Sequence, residues 1–488
     1  MPPVDLEEIK KKRLCSGCVG EQYLSDEIRR EGKRRRCSYC DITRKTYSIE
    51  QVADRIEAAF AQHYERTSDQ PDDFESMMLR DREINYDWQR HGQPVVEAIG
   101  EAAEIEEEPA RDLQSVLEER HADIELEKIG EEAEFGDETY YDLTGVSDAG
   151  WQQEWQRFET SLKTVARFFS REAARHLSSV FDGIDKMTAR NGRPLLVRAG
   201  PGKDIGSLFR ARVFQSDDKL TESLCRPDLH LGSPPSLFAS AGRMNARGIS
   251  VFYGASDPKA AIAEVRPPVG SQVAVAEFEI IRELVLLDLT ALGKVSVEGS
   301  IFDHTLAGRR ERASFLRSLS RRITRPVMPD DEPFDYLTTQ AVADFLATET
   351  NTTIEGIIYP SVQVANVLNV VLFHKAALVE KIELPDGTRI SAHTGQDGGD
   401  GWEDDYAVFE RVPPAKPKVD LPSGLWLPNL AKLAQVPWSA PADDSSLREP
   451  TLRIILNSVV VHQIKRVSFD TDEFSVRRHR WEDRDEKF

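Results

Sequence analysis

Five cysteines in 488 residues are too few for a disulfide scaffold, and four of them fall within the first forty positions. The chain has no apolar run of about eighteen residues, the length needed to cross a bilayer as a helix. Its opening segment, MPPVDLEEIKKKRL, follows its charges with no apolar core, so no secretory signal is read there. A cytoplasmic protein with no membrane partner is expected, and in that compartment paired cysteines point to metal rather than disulfides. An excess of positive charge is also lacking. The 63 Lys and Arg face 84 Asp and Glu, a formal net charge of -21. That balance favours solubility and argues against a chain that coats phosphate along its whole surface. What remains is ordinary for globular proteins: 40% hydrophobic and 30% charged residues, with length for several domains.

The early cysteines form two knuckles, Cys15-Ser-Gly-Cys18 and Cys37-Ser-Tyr-Cys40. Each tight CxxC turn offers two thiolates, and two turns together fill the tetrahedral shell of a structural zinc ion. Residues 1–47 are read as a zinc ribbon-like module. Residues 48–195 read as helical. Ser48-Ile-Glu-Gln51 has the form of a capping box, followed by Ile49, Val52, Ile56, Phe60 and Tyr64 on one helix face. Phe158, Leu162, Val165, Phe169, Ala173, Leu177, Phe181 and Ile184 keep the same rhythm, predicting one helix of seven turns. The acidic stretch 97–142 predicts helices with a solvated face.

From about residue 196 the texture changes to short β-type runs: 207–214, 249–253, 273–281, 284–289, 354–359 and 366–373. Helices are expected at 258–265, 309–323 and 338–347. Residues 386–450, rich in Gly, Pro and Asp, read as a loop insertion. Residues 452–480, with Ile454, Ile455, Val459, Val460, Val461, Ile464, Val467 and Phe469, are expected to add strands to the sheet. The fold class is α+β, and residues 196–488 are read as one C-terminal domain.

Three segments of that domain hold polar residues in apolar surroundings. Ala241-Gly-Arg-Met-Asn-Ala-Arg-Gly248 reads as a tight loop presenting Arg243 and Asn245. Val251-Phe-Tyr253 ends a strand, and Ser256 or Asp257 then caps a short helix that closes on Glu264. A carboxylate at a helix C-terminus is locally unfavourable by about 0.3–1 kcal/mol, so another use for it is expected. Gly356-Ile-Ile-Tyr-Pro-Ser361 runs a strand into a turn that presents Ser361.

Taken in order, GRMNARG, VFY, AIAEV, IIYPSVQ and NVVLF resemble the RES family, over about residues 205–380. Tyr253 lies 10 residues after Arg243, and Glu264 lies 11 after Tyr253. The resemblance implies a split-sheet domain like that of ADP-ribosyltransferases, with NAD as substrate and Arg243, Tyr253, Glu264 and Ser361 as catalytic residues. It implies an NAD phosphorylase or glycohydrolase, transferring ADP-ribose to phosphate or water. A growth-arresting toxin or phage-defence effector follows from that activity, restrained by an antitoxin or other regulatory partner and forming a homo-oligomer. In that reading Glu264 steadies the ribosyl cation, Arg243 clamps pyrophosphate, Tyr253 stacks on nicotinamide and Ser361 donates a hydrogen bond to a phosphate or the carboxamide. By position alone, Arg210 is expected as a second phosphate contact and Asn245 as a ribose contact.

The zinc module plus helical region is similar to the HEPN/RES N-terminal arrangement of longer family members. Arg171-Glu-Ala-Ala-Arg-His176 matches the loose ribonuclease motif of HEPN proteins. Five helical steps set those two side chains roughly 140° apart, so they meet only across a helix break. Arg167, Arg171 and Arg175 form a basic stripe. Cys225 is expected to be inert, and His374 either faces the cleft or is structural. Two other readings stay open: protein ADP-ribosylation on the same fold, and a nucleic-acid-binding or interaction protein. The latter would use the basic zinc module, residues 28–36, or a HEPN ribonuclease site, beside an inactive RES-like domain.

Overall fold

The computed structural model describes residues 6–81, 86–122, 132–397, 402–414, 448–468 and 470–480. The chain divides into two compact units, residues 1–195 with 290–325 and residues 196–289 with 326–488. Among the described residues, no helix is long and apolar enough to cross a membrane.

After a short helix at Leu6–Lys11 the first unit continues with β1 (Arg13–Cys15), α1 (Gln22–Glu31), β2 (Lys33–Arg36) and β3 (Thr43–Ser48). The three strands form an antiparallel sheet in the order β1-β3-β2. Ser48 then starts α2 (Ile49–His63) with the predicted capping box, its side chain exchanging bonds with Gln51. The acidic stretch supplies α3 (Val95–Ala103) and α4 (Glu107–Arg120). Apart from the all-basic β2, the apolar faces of these elements meet in one cluster. Leu14, Leu24, Ile28 and Tyr47 pack with Ile49, Val52 and Ile56 of α2 and with Ile99, Leu113 and Leu117. The cysteine module and the first helices therefore share a core.

The expected seven-turn helix is two helices, α5 (Ala149–Thr164) and α6 (Arg171–Phe181). The apolar rhythm does run through the break, but Val165, Phe168 and Phe169 there are 80%, 81% and 102% exposed. With nothing to bury them, the helix gains no packing from continuing. Phe169 takes a left-handed φ of 60° and Ser170 recaps the chain by accepting the Ala173 N–H. The predicted helix at 309–323 runs from Leu306 to Thr324 and belongs to this unit, where Phe315 packs against Trp151 and Trp155.

The second unit is built on one nine-stranded sheet. In chain order its elements are β4 (Leu196–Ala199), β5 (Ser207–Phe214), β6 (Phe252–Ala255), α7 (Pro258–Glu264), β7 (Gln272–Ile280) and β8 (Leu284–Asp288). After the excursion through the first unit come α8 (Glu332–Thr348), β9 (Gly356–Pro360) and β10 (Leu368–Leu372). The chain then adds β11 (Arg389–Asp397), β12 (Trp402–Arg411), β13 (Leu452–Ile454) and β14 (Val460–Gln463). The sheet order is β13-β7-β5-β6-β10-β9-β8-β4, with β14 also on β7. Among the described strands of this sheet, β8 and β9 are the pair that run parallel, and an isolated parallel bridge joins Val379 to Leu452 of β13.

Alternation sorts the sheet into two faces. Leu208, Phe252, Phe278, Ile358, Val370 and Leu372 fill one core, and Ala211, Ala255, Val273 and Val275 pack with Ala260 and Ala261 of α7 in the other. β5 pairs with β7 over eight residues but touches β6 only at Phe209–Ala255. The strands part from there, which is the split expected of this sheet.

Two expectations change. The insertion at 386–450 begins not as a loop but as an antiparallel hairpin, β11 with β12. Its polar sequence hid it, because strands such as Glu403-Asp-Asp405 show no apolar alternation. Residues 415–447 lie outside the described residues. The strands expected over 452–480 are confined to β13 and β14, both paired with β7, and 464–468 and 470–480 carry none. Phe469 lies outside the described residues.

Candidate functional site

Two clusters of chemistry-bearing side chains stand out. In the first unit the Sγ atoms of Cys15, Cys18, Cys37 and Cys40 all lie within 4.8 Å of one another. Cys15 is 3.7 Å from both Cys18 and Cys40, and Cys18 is 3.8 Å from Cys37. A tetrahedron with Zn–S bonds of about 2.3 Å has edges of about 3.8 Å, so the four thiols fit a zinc ion. Each knuckle is a tight turn: Cys18 N–H donates to the Cys15 carbonyl and Cys37 N–H to that of Ile42. All four positions are protein sulfur, the composition of a structural centre.

The second cluster sits on the α7 face of the large sheet. Asp257 caps α7 by accepting the Lys259 and Ala260 N–H groups, and Pro258 sets the first turn. Seven residues later the helix ends on Glu264, an exposed side chain. Two donors from other segments hold one of its oxygens. The Ser361 hydroxyl donates to Oε1 at 2.9 Å and the Asn369 side-chain amide donates to the same atom at 2.7 Å. Ser361 stands just past β9, and its oxygen in turn accepts the N–H groups of Gln363 and Val364. Asn369 is buried within β10, 2% exposed. Oε1 is thus fixed, and Oε2 carries no hydrogen bond among the described residues. The hydroxyl hydrogen of Ser361 is committed to Glu264, so this serine orients the carboxylate rather than offering a donor outward.

Arg243 approaches from a loop held at several points. Thr339 and Gln340 of α8 donate to the carbonyls of Arg243 and Gly242 at 2.6 and 2.8 Å. The guanidinium lies 5.4 Å from the ring centre of Tyr336, a cation–π contact. The Tyr253 hydroxyl accepts the Met244 N–H and donates to Asn245 Oδ1 at 2.9 Å. Burial pushes the Tyr253 phenol up to about 12, so it stays a neutral hydrogen-bonding group near pH 7. Gly242 is required here by close approach, since a Cβ would lie 2.7 Å from both Asn245 Oδ1 and the Tyr253 hydroxyl.

Tyr359, on β9, stands opposite Asn369 of β10, the donor to Glu264. Burial is the main cause of its raised pKa, with Glu264 adding to the rise and Arg243 opposing it. Sequence reading missed Asn369, Tyr359 and Tyr336. Asn369 did leave a signal: it is the one polar residue in the buried strand Leu-Asn-Val-Val-Leu.

Two expected contacts are placed elsewhere. Asn245 is 3% exposed and spends its amide on the carbonyls of Ser240, Ala246 and Ile249. It staples the loop and has no group left for a ribose. Arg210 shares the β5 face of Leu208 and Phe214, away from α7. Its guanidinium lies 5.0 Å from the Phe252 ring centre and donates to the Tyr253 carbonyl, where β5 no longer pairs with β6. It fills the split in the sheet. Burial, with a smaller push from Arg212, brings it down to about 10, still a cation at pH 7.

The remaining candidates stay apart from this cluster. His374 lines a separate cavity of about 380 Å³ behind Met244, together with Val251, Ala343, Ile354 and Phe373. Burial raises the Cys225 thiol, which leaves less of the reactive thiolate. In the first unit the helix break falls before Arg171, so Arg171 and His176 occupy one uninterrupted helix and point apart. His176 packs between Trp155 and Phe158, and burial lowers its pKa.

No curated protein and no solved structure matches the chain. A family model described as RES domain matches residues 231–393. That span contains Arg243, Tyr253, Glu264, Ser361 and Asn369 and excludes Arg210. Residues 231–393 of this chain are a RES domain, a family associated with enzymes that act on NAD.

Proposed function

We propose that the second unit cleaves the nicotinamide–ribose bond of NAD and passes ADP-ribose to phosphate or water. The observation that carries this reading is the grip on Glu264. A carboxylate held through one oxygen by Ser361 and Asn369, with its other oxygen uncommitted, is a fixed negative charge for a developing cation. Bond cleavage at the ribosyl carbon passes through an oxocarbenium-like state, as in glycoside hydrolysis. The bonding pair leaves with the nicotinamide ring nitrogen, which changes from pyridinium to neutral pyridine. No general acid is needed, and this cluster supplies none in an obvious place. The acceptor oxygen forms the new bond to the same carbon, and water as acceptor then sheds one proton.

Each residue has a part in that scheme. Glu264 stabilises the ribosyl cation. Ser361 and Asn369 are positioning residues that keep its carboxylate aimed. Arg243, steadied by Tyr336 and by the α8 bonds to its loop, grips phosphate oxygens. Tyr253 holds the Arg243 loop from beneath through Met244 and Asn245.

Incubation of the full chain with NAD, with and without phosphate, tests the proposal by free nicotinamide and by ADP-ribose or its 1-phosphate. Glu264→Gln and Arg243→Ala should each lower nicotinamide release by at least about a hundredfold, on the scale of losing a transition-state contact of about 2.7 kcal/mol. Absence of nicotinamide release by the wild type under both conditions overturns it. Nicotinamide release with ADP-ribose found only on protein would instead make the chain a protein modifier. A growth-arresting role and an antitoxin or other restraint follow as parts of the same proposal.

A further inference from the structure

We propose that the exposed two-stranded ribbon of the cysteine module is a docking surface for the phosphate backbone of nucleic acid. This inference is independent of the NAD reading. Residues 32–46 carry six Lys and Arg against one Asp, a net of +5 in a chain of net -21. All four residues of β2, Lys33 to Arg36, are exposed, as are Arg44 and Lys45 of β3.

The acidic groups nearby are already engaged. Glu21 caps α1, Asp26 pairs with Arg29, Glu27 with Arg55, Glu31 with Arg30, and Asp41 with Arg36. Lys45 donates to the Gly32 carbonyl. Lys33, Arg34, Arg35 and Arg44 have no carboxylate partner among the described residues.

The register makes the arrangement costly without a ligand. Arg35 lies directly opposite Arg44, and Arg34 opposite Lys45. Like charges facing each other across antiparallel strands destabilise a sheet, and no residue on these strands offsets them. Adjacent strands lie about 4.8 Å apart and alternate residues about 6.7 Å apart, so neighbouring cations fall inside one Debye length. A polymer of fixed anions neutralises several of them at once. The two CxxC knuckles clamp the module, Cys37–Cys40 closing the tip of the β2–β3 ribbon, so the charges are held on a rigid frame.

An acidic protein is the competing occupant. The ribbon fits it less well, because the centre of a protein interface is depleted in charge and enriched in apolar anchors, whereas this patch is charged throughout. Three of its four uncommitted cations are arginines, whose planar fork matches phosphate oxygens in pairs.

The test uses the full zinc-loaded chain and fluorescein-labelled 24-nucleotide duplex DNA, single-stranded DNA and RNA of mixed sequence, followed by anisotropy. With about four phosphates neutralised, duplex affinity should fall about 150-fold between 50 and 200 mM KCl. The triple variant Arg34→Glu, Arg35→Glu, Arg44→Glu should bind at least about tenfold more weakly with its zinc content unchanged, and poly-glutamate should compete poorly. Should that variant lose zinc, the wild-type salt slope and the poly-glutamate competition decide the matter. The proposal is overturned if no probe binds at 50 mM KCl or if the zinc-replete variant binds like wild type. It is also overturned if poly-glutamate competes as well as unlabelled duplex, which would assign the ribbon to an acidic protein.

Discussion

Asn369→Ala removes one of the two donors on Glu264 Oε1, and Ser361→Ala removes the other. A hydrogen bond to a charged group contributes about 1.5–3 kcal/mol, and each 1.36 kcal/mol is a decade in rate. If these bonds act by holding the carboxylate for the transition state, each variant should lose roughly 10- to 150-fold in kcat, with KM for NAD changed little. Both donors serve one oxygen, so the double variant should lose less than the product of the single losses. Asn369→Asp should be worse than Asn369→Ala, because it sets a second carboxylate beside the first. Initial rates of nicotinamide release give the numbers, and thermal melts separate them from unfolding. Ser361→Ala also deprives the Gln363 and Val364 N–H groups of an acceptor, so a modest drop in Tm is expected for it. The reasoning fails if both single variants stay within about twofold of wild type while Glu264→Gln is inactive. Losses confined to KM would equally refute positioning.

Other consequences follow from the same structure. Zinc analysis should find about one ion per chain, and Cys37→Ser should lose it and lower the Tm of the first unit, whose core includes the ribbon residues Leu14 and Tyr47. Gly242→Ala should cost about 1–3 kcal/mol of stability by overpacking against Asn245 and Tyr253, and should lower NAD turnover through the displaced Arg243 loop. His63 and His176 are both held below the usual histidine range by burial. The unfolded chain therefore takes up protons first as pH falls below about 6.5. Stability is full above that pH and declines beneath it, by at most about 1.4 kcal/mol per pH unit for each histidine. Urea melts at pH 7.5 and 5.5 should show the decline, and His176→Phe should remove its share.

The sheet of the second unit was legible because its strands carry clean apolar runs bounded by turn residues. The run 207–214 is the strand itself, the helix at 258–265 ends within one residue of the observed one, and that at 338–347 starts six residues late and stops one short. The capping box at Ser48 was legible for the same local reason. Where the sequence misled, tertiary context decided. Val165 and Phe169 keep helical spacing, yet no surface receives them, so letters that promise burial end in a turn. The β11–β12 hairpin has the reverse difficulty, since polar strands announce nothing by hydrophobicity. At the site, spacing located the segments but not the directions of their side chains. Alternation along β5 already set Arg210 with Leu208 and Phe214, and that clue outweighs closeness in sequence. Asn245 was drawn inward by three backbone carbonyls of its own loop, which no pattern of residue types declares.

The excursion through residues 290–325 has a consequence for synthesis. The chain leaves the second unit after Leu289 and rejoins it at Pro326, so β8 and its parallel neighbour β9 are made on either side of a segment that belongs to the earlier unit. On the ribosome the N-terminal part waits for some hundred residues before Phe315 emerges to meet Trp151 and Trp155. A fragment begun at residue 196 would carry that helix with Phe315 stripped of its packing against Trp151 and Trp155, and should be recovered in the pellet rather than as a free-standing enzyme. Dissecting this protein by truncation therefore calls for co-expression of the two pieces, not for either piece alone.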